Sequence, residues 1–393
     1  MTLRGRASIV GIGQTEYSRD SGRSEHVLAL EAILAALEDA GLKASDVDGL
    51  VRFSWDSNTE LGIAESLGME GVRFYGEIGY GGPACCATVG HAAAAIALGL
   101  ANCVVCYRAL NERSGVRYGR GERLLETEGD LTFALREDSP GGAYEAPYGL
   151  LTYGQLQAMS ARRYMHDFSI GEDRMTEILG TVAVSQRRYA QQNPAAMMYG
   201  RPMTRRDYEA SRLISSPLRL YDFCLETDGA AALVLVSTEV ARDLRQPPVA
   251  VLGASQELLP VFPSADTLVQ PIPAQAADNI FGPAGCRPDD IDVAGIYDSA
   301  SITVPQALEG YGFCAKGEAG DFIVEGGNTV DSPLPFNTHG GLMSEGYIHG
   351  MNTIVECVRQ IRGSAINQVR GASLAFVTAV GTSALVLGGA ECL

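Results

Sequence analysis

The chain has 393 residues, of which 46% are hydrophobic and 20% charged, with a formal net charge of −17. That length and apolar content suit one large domain or two to three fused ones. The acidic balance excludes nucleic acid as a general partner, and an anionic ligand would need a local cluster of arginine or lysine.

The start, Met1-Thr2-Leu3-Arg4-Gly5-Arg6, reads as no secretory leader and runs into a short apolar strand over Ala7 to Gly11. Gly11-Ile12-Gly13 opens like a dinucleotide fingerprint, but Glu16 stands where the third glycine belongs, so that reading is dropped. An amphipathic helix is predicted over His26 to Ala40, with Leu28, Ala32, Leu34 and Leu37 as apolar positions and Ala40-Gly41 as its stop. Ser45-Asp46-Val47-Asp48-Gly49-Leu50 then turns into a strand.

Ile78 to Tyr107 carries no acidic or basic side chain, yet Gly81-Gly82-Pro83, His91, Gly99 and Asn102 interrupt it. A helix over about 84 to 98 and a buried strand over Cys103 to Tyr107 account for it better than a membrane span. Cys103 and Cys106 form a C-x-x-C pair inside that strand, where residues three apart point to opposite faces. With no second pair to complete a zinc site, they read as buried thiols, and no metal is expected. The nine cysteines are scattered, which suits free thiols in a reducing cytoplasm.

From about 110 to 220 the chain is rich in Arg and Tyr, including Arg108, Arg113, Arg117, Arg120, Arg123, Arg162 and Arg163, and reads as a long insertion. A core strand returns at Thr227-Asp228-Gly229-Ala230-Ala231 and runs to Val236. Ala284-Gly285 followed by Asp290-Ile291-Asp292-Val293 repeats the earlier Ala-Gly stop and Asp-apolar-Asp turn. Gly340-Gly341, a helix over about 350 to 362 and a strand over Ser373 to Val377 complete a second copy of the plan, so the core reads as an internal duplication.

The segments Ala109-Leu110-Asn111-Glu112-Arg113-Ser114-Gly115, Ala161-Arg162-Arg163-Tyr164-Met165-His166, Thr227 to Ala231 and Asn337-Thr338-His339-Gly340-Gly341 carry a family resemblance. Over nearly its full length the chain resembles the thiolase superfamily. Within it, the sterol carrier/lipid-transfer thiolase-like branch and its bacterial steroid side-chain-cleaving aldolases are most similar. The resemblance implies a duplicated α/β/α/β/α five-layer fold. Residues 1–110 and 220–250 would form the first half, 111–219 an inserted CoA-binding loop region, and 251–393 the second half. It also implies a homodimer involving the strand near Asn102 to Tyr107, and a small OB-fold acyl-CoA-associated protein as partner. Coenzyme A would enter as part of the substrate, with no separate cofactor.

Four thiolase positions bear on the chemistry, and each has changed type here. The nucleophilic cysteine falls on Gly82, the second cysteine on Ala379, the polarising His or Asn on Tyr297, and the histidine of the G-H-P motif on Tyr347. A three-residue shift would place Cys85 at the nucleophile position, which keeps a thiolase acyltransferase open as an alternative. A non-catalytic acyl-CoA or lipid carrier is a second one. Without a nucleophile, the resemblance implies retro-aldol cleavage of a steroid β-hydroxyacyl-CoA of the 17-hydroxy C22 type, giving a steroid ketone and propionyl-CoA. Tyr297 would take the hydroxyl proton and Tyr347 protonate the enolate, or the reverse. From pattern alone, a tyrosine beside an apolar strand is usually a core residue with a satisfied hydroxyl. A catalytic tyrosine would want its pKa drawn down from about 10 by N–H donors or an arginine, since burial alone raises it. Gly82 and Gly381 would line the site, His349 and His339 would assist, and Asp298 would orient a neighbour or turn. Arg113, Arg117, Arg162 and Arg163 are candidates for the CoA phosphates.

Overall fold

The computed structural model describes residues 3–79, 82–115, 117, 146–257, 269–379 and 381–393; Gly81, Arg120 and Arg123 lie outside them. The first half runs β1 (Ala7–Gln14), α1 (Glu25–Ala40), β2 (Gly49–Phe53), α2 (Glu60–Leu67), β3 (Phe74–Ile78), α3 (Cys85–Ala97) and β4 (Cys103–Asn111). An inserted region follows with α4 (Tyr153–Asp167), α5 (Glu172–Ala190), α6 (Arg205–Glu209) and the ribbon β5 (Leu213–Ser215) and β6 (Leu218–Arg219). The core then resumes with β7 (Asp228–Ser237), α7 (Thr238–Ala241), β8 (Val249–Gln256), α8 (Ala276–Ala284) and β9 (Val293–Ile296). It closes with α9 (Thr303–Gly310), α10 (Ala319–Gly326), α11 (Gly341–Ser344), α12 (Met351–Arg362), β10 (Leu374–Ala379) and β11 (Ser383–Gly388).

Helix α1 starts where the Ser24 hydroxyl accepts the Val27 N–H, and ends at Gly41 with φ of 75°. Its buried stripe is Leu28, Ala29, Ala32, Ile33, Ala36, Leu37 and Ala40. Leu34, read from sequence as part of that stripe, is half-exposed: Ile33, not Leu34, continues the 3.6-residue spacing from Ala29.

Among the described residues the strands join in the order β3-β2-β4-β7-β1-β8-β11-β10-β9. The order is symmetric about the β1/β8 junction. In each half the first strand meets the last strand antiparallel (β7 or β11), that strand meets β4 or β10 antiparallel, and a parallel strand (β2 or β9) follows. The duplication extends to hydrogen bonds. Asp46 and Asp290 accept the N–H groups of Lys43 and Arg287 at 2.8 Å each. Asp48 then accepts the Cys103 N–H that opens β4, at 2.9 Å, and Asp292 the Leu374 N–H that opens β10, at 2.8 Å. The repeated Asp-apolar-Asp thus ties each half's parallel strand to its neighbour.

Helices α3 and α12 form the central layer, packed against strands of both halves in one core with Val51, Leu233, Val251 and Val377. Helix α1 covers the outer face of the first half-sheet, and α8 that of the second. The five layers are therefore helix, sheet, helix, sheet, helix. On β4, Val104, Cys106 and Leu110 face the central core while Cys103, Val105, Tyr107 and Ala109 face α1. The two cysteines do point to opposite sides. The inserted helices α4 and α5 pack on the second half's outer core through Tyr164, Ile178 and Val182.

Strand β4, the strand expected to take part in a dimer, is hydrogen-bonded to β2 on one side and β7 on the other and has no free edge. The sheet edge in the first half is β3, where Tyr75 is 72% exposed. No helix among the described residues is long and apolar enough to cross a membrane.

Candidate active site

Tyr297 follows β9 directly, and its N–H donates to Thr378 O on β10 at 3.0 Å. Asn337 fixes the strand end beside it. Its Oδ1 accepts the Ile296 N–H and its Nδ2 donates to Ile296 O, both at 2.8 Å. Tyr347 lies in the turn between α11 and α12. The Thr227 hydroxyl accepts the Tyr347 N–H at 2.9 Å and donates to its carbonyl at 3.0 Å. Two anchors from different halves thus bring the phenols together: their hydroxyls meet at 2.7 Å, buried, with the rings near perpendicular at 77°.

Glycines make room for this pair. A methyl group on Gly82 would overlap the Tyr297 hydroxyl. At Gly350, where φ is +82°, a Cβ would come within 2.8 Å of the Tyr297 ring and 2.9 Å of Cys85 Sγ. Gly381, with φ of +72°, instead packs against Pro271 and Ile272, and no contact joins it to either tyrosine among the described residues. Its turn is linked to the site by the Ser383 hydroxyl, which donates to Pro83 O at 2.6 Å.

Burial is the leading influence on both phenols and pushes both pKa values well up. On Tyr297 the hydrogen bond from Tyr347 opposes it only in part. Neither phenol is drawn down toward neutrality: the described surroundings supply desolvation rather than a compensating cation. Two neutral hydroxyls in contact can still pass a proton, each receiving one as it gives one away.

His349 stands beside Tyr347, with ring centroids 5.2 Å apart. Its Nδ1 accepts from Arg108 Nε at 3.0 Å, and Arg108 Nη1 is 3.0 Å from Asp56 Oδ2, all three side chains being buried. Burial and the Arg108 charge hold the imidazole pKa well below its usual value, so the ring is neutral with Nδ1 as acceptor. His339 does not join this group among the described residues. It is buried, with neither ring nitrogen hydrogen-bonded and Glu345 Oε2 3.8 Å away, and burial pushes its pKa down to about 3. Asp298 accepts the Leu342 N–H at 2.9 Å and orients the turn that leads to Tyr347; burial raises its pKa to about 7.

Arg113 and Arg117 both lie against Glu226, close to the tyrosine pair, at 3.9 Å for Arg113 and 2.7 Å for the Arg117 Nε bond. Arg162 and Arg163 lie farther along α4, in an open groove of about 480 Å³ lined also by Gln155, His166 and Ser216. Arg162 pairs there with Glu172, and Arg163 with Asp167 at 3.0 Å. The groove and the dyad share α4, whose first residue, Tyr153, bonds Ser299 at 2.6 Å beside Tyr297.

Cys85 opens α3 with Sγ 3.8 Å from Cys86 Sγ, and no imidazole or carboxylate contacts it among the described residues. Asp56 was invisible to motif reading. Arg108 and Glu112 were visible in sequence but not assigned to the site. A single arginine inside the otherwise apolar run Cys103 to Leu110 is the signal that a buried anion must exist elsewhere in the chain.

Residues 260–386 match the family model described as thiolase C-terminal domain-like. The chain is 46% identical to a steroid side-chain-cleaving aldolase of Thermomonospora curvata, over 98% of each chain. It is 45% identical to a 17-hydroxy-3-oxo-4-pregnene-20-carboxyl-CoA lyase of Mycobacterium tuberculosis, over 98% of this chain and all of that one (100%). A solved Ltp2-ChsH2(DUF35) aldolase superposes with a TM-score of 0.89 at 44% identity, over 99% of each chain.

Proposed function

The chain belongs to the steroid side-chain-cleaving aldolases of the thiolase superfamily, and on that footing we propose that it cleaves a 17-hydroxy steroid C22 acyl-CoA by a retro-aldol reaction carried by Tyr297 and Tyr347. The observation that carries the assignment of residues is the 2.7 Å contact between their buried hydroxyls. The substrate's β-hydroxyl gives its proton to one phenol. The pair left on that oxygen by the departing proton forms the ketone π bond, and the Cα–Cβ pair moves into the thioester to make an enolate. The proton crosses the hydroxyl–hydroxyl bond, and the second phenol protonates Cα, giving propionyl-CoA. Both tyrosines end as neutral as they began, so no tyrosinate is required at rest. Tyr297 is assigned to the hydroxyl and Tyr347 to the enolate.

Arg162 and Arg163 are assigned to the CoA phosphates. Nine residues of helix from Tyr153 to Arg162 span about 14 Å, a length an extended pantetheine arm can cover. Their present partners are exposed carboxylates, which hold them weakly enough to be exchanged for phosphate. Arg113 and Arg117 are held by Glu226 and are not assigned to the phosphates. The chain is further assigned a cytoplasmic homodimer joined along β3, and a small OB-fold acyl-CoA-associated partner. The Ltp2-ChsH2(DUF35) structure supports a partner of this kind.

The test is product identification by mass spectrometry with the 17-hydroxy C22 steroid-CoA. Retro-aldol cleavage releases ketone and shorter acyl-CoA with no free CoA consumed. A requirement for added CoA would instead indicate thiolysis through Cys85, and tight binding without turnover, alone or with the OB-fold protein, would indicate a carrier.

A further inference from the structure

The proton relay leaves one buried group of the same cleft without a task. Strand alternation on β4 sends Val104, Cys106 and Leu110 to the central core, and by the same alternation Arg108 takes that side; Glu112 follows in the turn that leaves β4, close enough to feel the Arg108 charge. Asn111, the last residue of β4, pairs with Asp228, and the turn wraps this end of β7: Asp228 Oδ1 accepts the Arg113 and Ser114 N–H groups at 3.0 Å each, next to Thr227. Thr227 is the residue whose hydroxyl clamps Tyr347 at both its N–H and its carbonyl. Glu112 is only 3% exposed, and its Oε2 has no hydrogen-bond partner among the described residues. A buried polar atom left unpaired costs stability, so its retention calls for a ligand.

We propose that Glu112 is a further catalytic residue, a neutral carboxylic acid whose O–H donates a hydrogen bond to the thioester oxygen as the enolate forms. The proposal rests on the retro-aldol reading. Cleavage of Cα–Cβ moves an electron pair toward the thioester oxygen, while both tyrosine hydroxyls are committed to moving the proton. A separate donor aimed at the developing charge is what such a step needs, and no proton has to leave it. A carboxyl group serves as a donor only while protonated. The surroundings favour that state. Burial is the first cause that raises the Glu112 pKa well up and Glu226 the second; Arg108 and Arg117 oppose them, and Asp228 adds to the rise. Cys224 and Tyr347, the other titratable groups coupled to Glu112, carry no positive charge to offset this.

The experiment compares wild type, Glu112→Gln and Glu112→Ala on the full chain. Substrate is the acyl-CoA that wild type cleaves, and circular dichroism confirms folding. Glutamine keeps a neutral donor and is expected to retain activity within about tenfold, whereas alanine loses about 10²–10³-fold in kcat. Wild-type activity should fall on the alkaline side as Glu112 ionises, and that limb should be absent from Glu112→Gln. Infrared spectroscopy without substrate should show a protonated-carboxyl band at neutral pH that Glu112→Gln lacks. Glu112→Gln as inactive as Glu112→Ala, Glu112→Ala as active as wild type, or no such band would overturn the assignment. A wild type that yields no ketone would instead refute the retro-aldol reading, and the infrared result would still report the protonation state.

Discussion

At the level of single residues, the site depends on what is absent as much as on what is present. Gly82 stands where the resemblance puts a thiolase nucleophile, and a Cβ there would run into the Tyr297 hydroxyl. Gly82→Ala should therefore displace that hydroxyl by close to an ångström and cut turnover about 10²-fold, measured by steady-state kinetics, with melting temperature little changed. Arg108 is the opposite case, a fully buried charge between Asp56 and His349. Arg108→Leu would leave Asp56 buried without its counter-ion and should destabilise the fold by about 3–5 kcal/mol in denaturant titration. The two tyrosines could be singled out in the sequence because the resemblance set them at motif positions, and the fold brings their hydroxyls together. The Asp56–Arg108–His349 chain could not. Its members lie far apart along the chain, and no local period announces a contact made only in the folded state. His339 shows the converse error, a motif histidine that packs next to Glu345 and away from the dyad.

Among elements, the segment from α11 to α12 is held by two buried acids, Asp298 from the end of β9 and Glu345 from the turn itself. Burial raises Asp298 to about 7 and Glu345 to about 8. The sign follows from linkage. An acid whose folded pKa exceeds its unfolded value binds protons more tightly in the native state, so stability is lost as pH rises through the interval between them. Below about 6.5 the two buried histidines oppose this, since their folded pKa values are lowered and the unfolded chain takes up protons there. Above that pH their effect has ended. The melting temperature should decline from pH 6.5 to 8.5, and Glu345→Gln should flatten the decline; a flat wild-type profile would remove the assignment. The strands, the capping glycines and the repeated Asp-apolar-Asp turns were readable because period, cap and turn chemistry are local. The error over Leu34 came from apolar residues on adjacent faces, where composition alone does not choose the buried stripe.

For the whole molecule, both phenols come from the second half, one from the end of β9 and one from the α11–α12 turn, and Thr227 of the first half holds the second phenol in place. The place of β4 in the sheet could not be read from sequence. An apolar run such as Cys103 to Leu110 looks the same whether it is an interior strand or a sheet edge, and only the ladder shows β4 paired on both sides. With β3 as the edge, the proposed dimer along it is tested by Tyr75→Asp, which would bring like charges together across a two-fold: light scattering should show a dimer for wild type and a monomer for the variant. The account turns on phenolic proton transfer without attack by sulfur. The most direct measurement is the single-turnover rate of ketone release by Tyr297→Phe, Tyr347→Phe and Cys85→Ala, with the substrate cleaved by wild type. Losses of about 10²–10⁴-fold in both phenylalanine variants and a near wild-type rate in Cys85→Ala are predicted. Full activity in the phenylalanine variants with none in Cys85→Ala would contradict it.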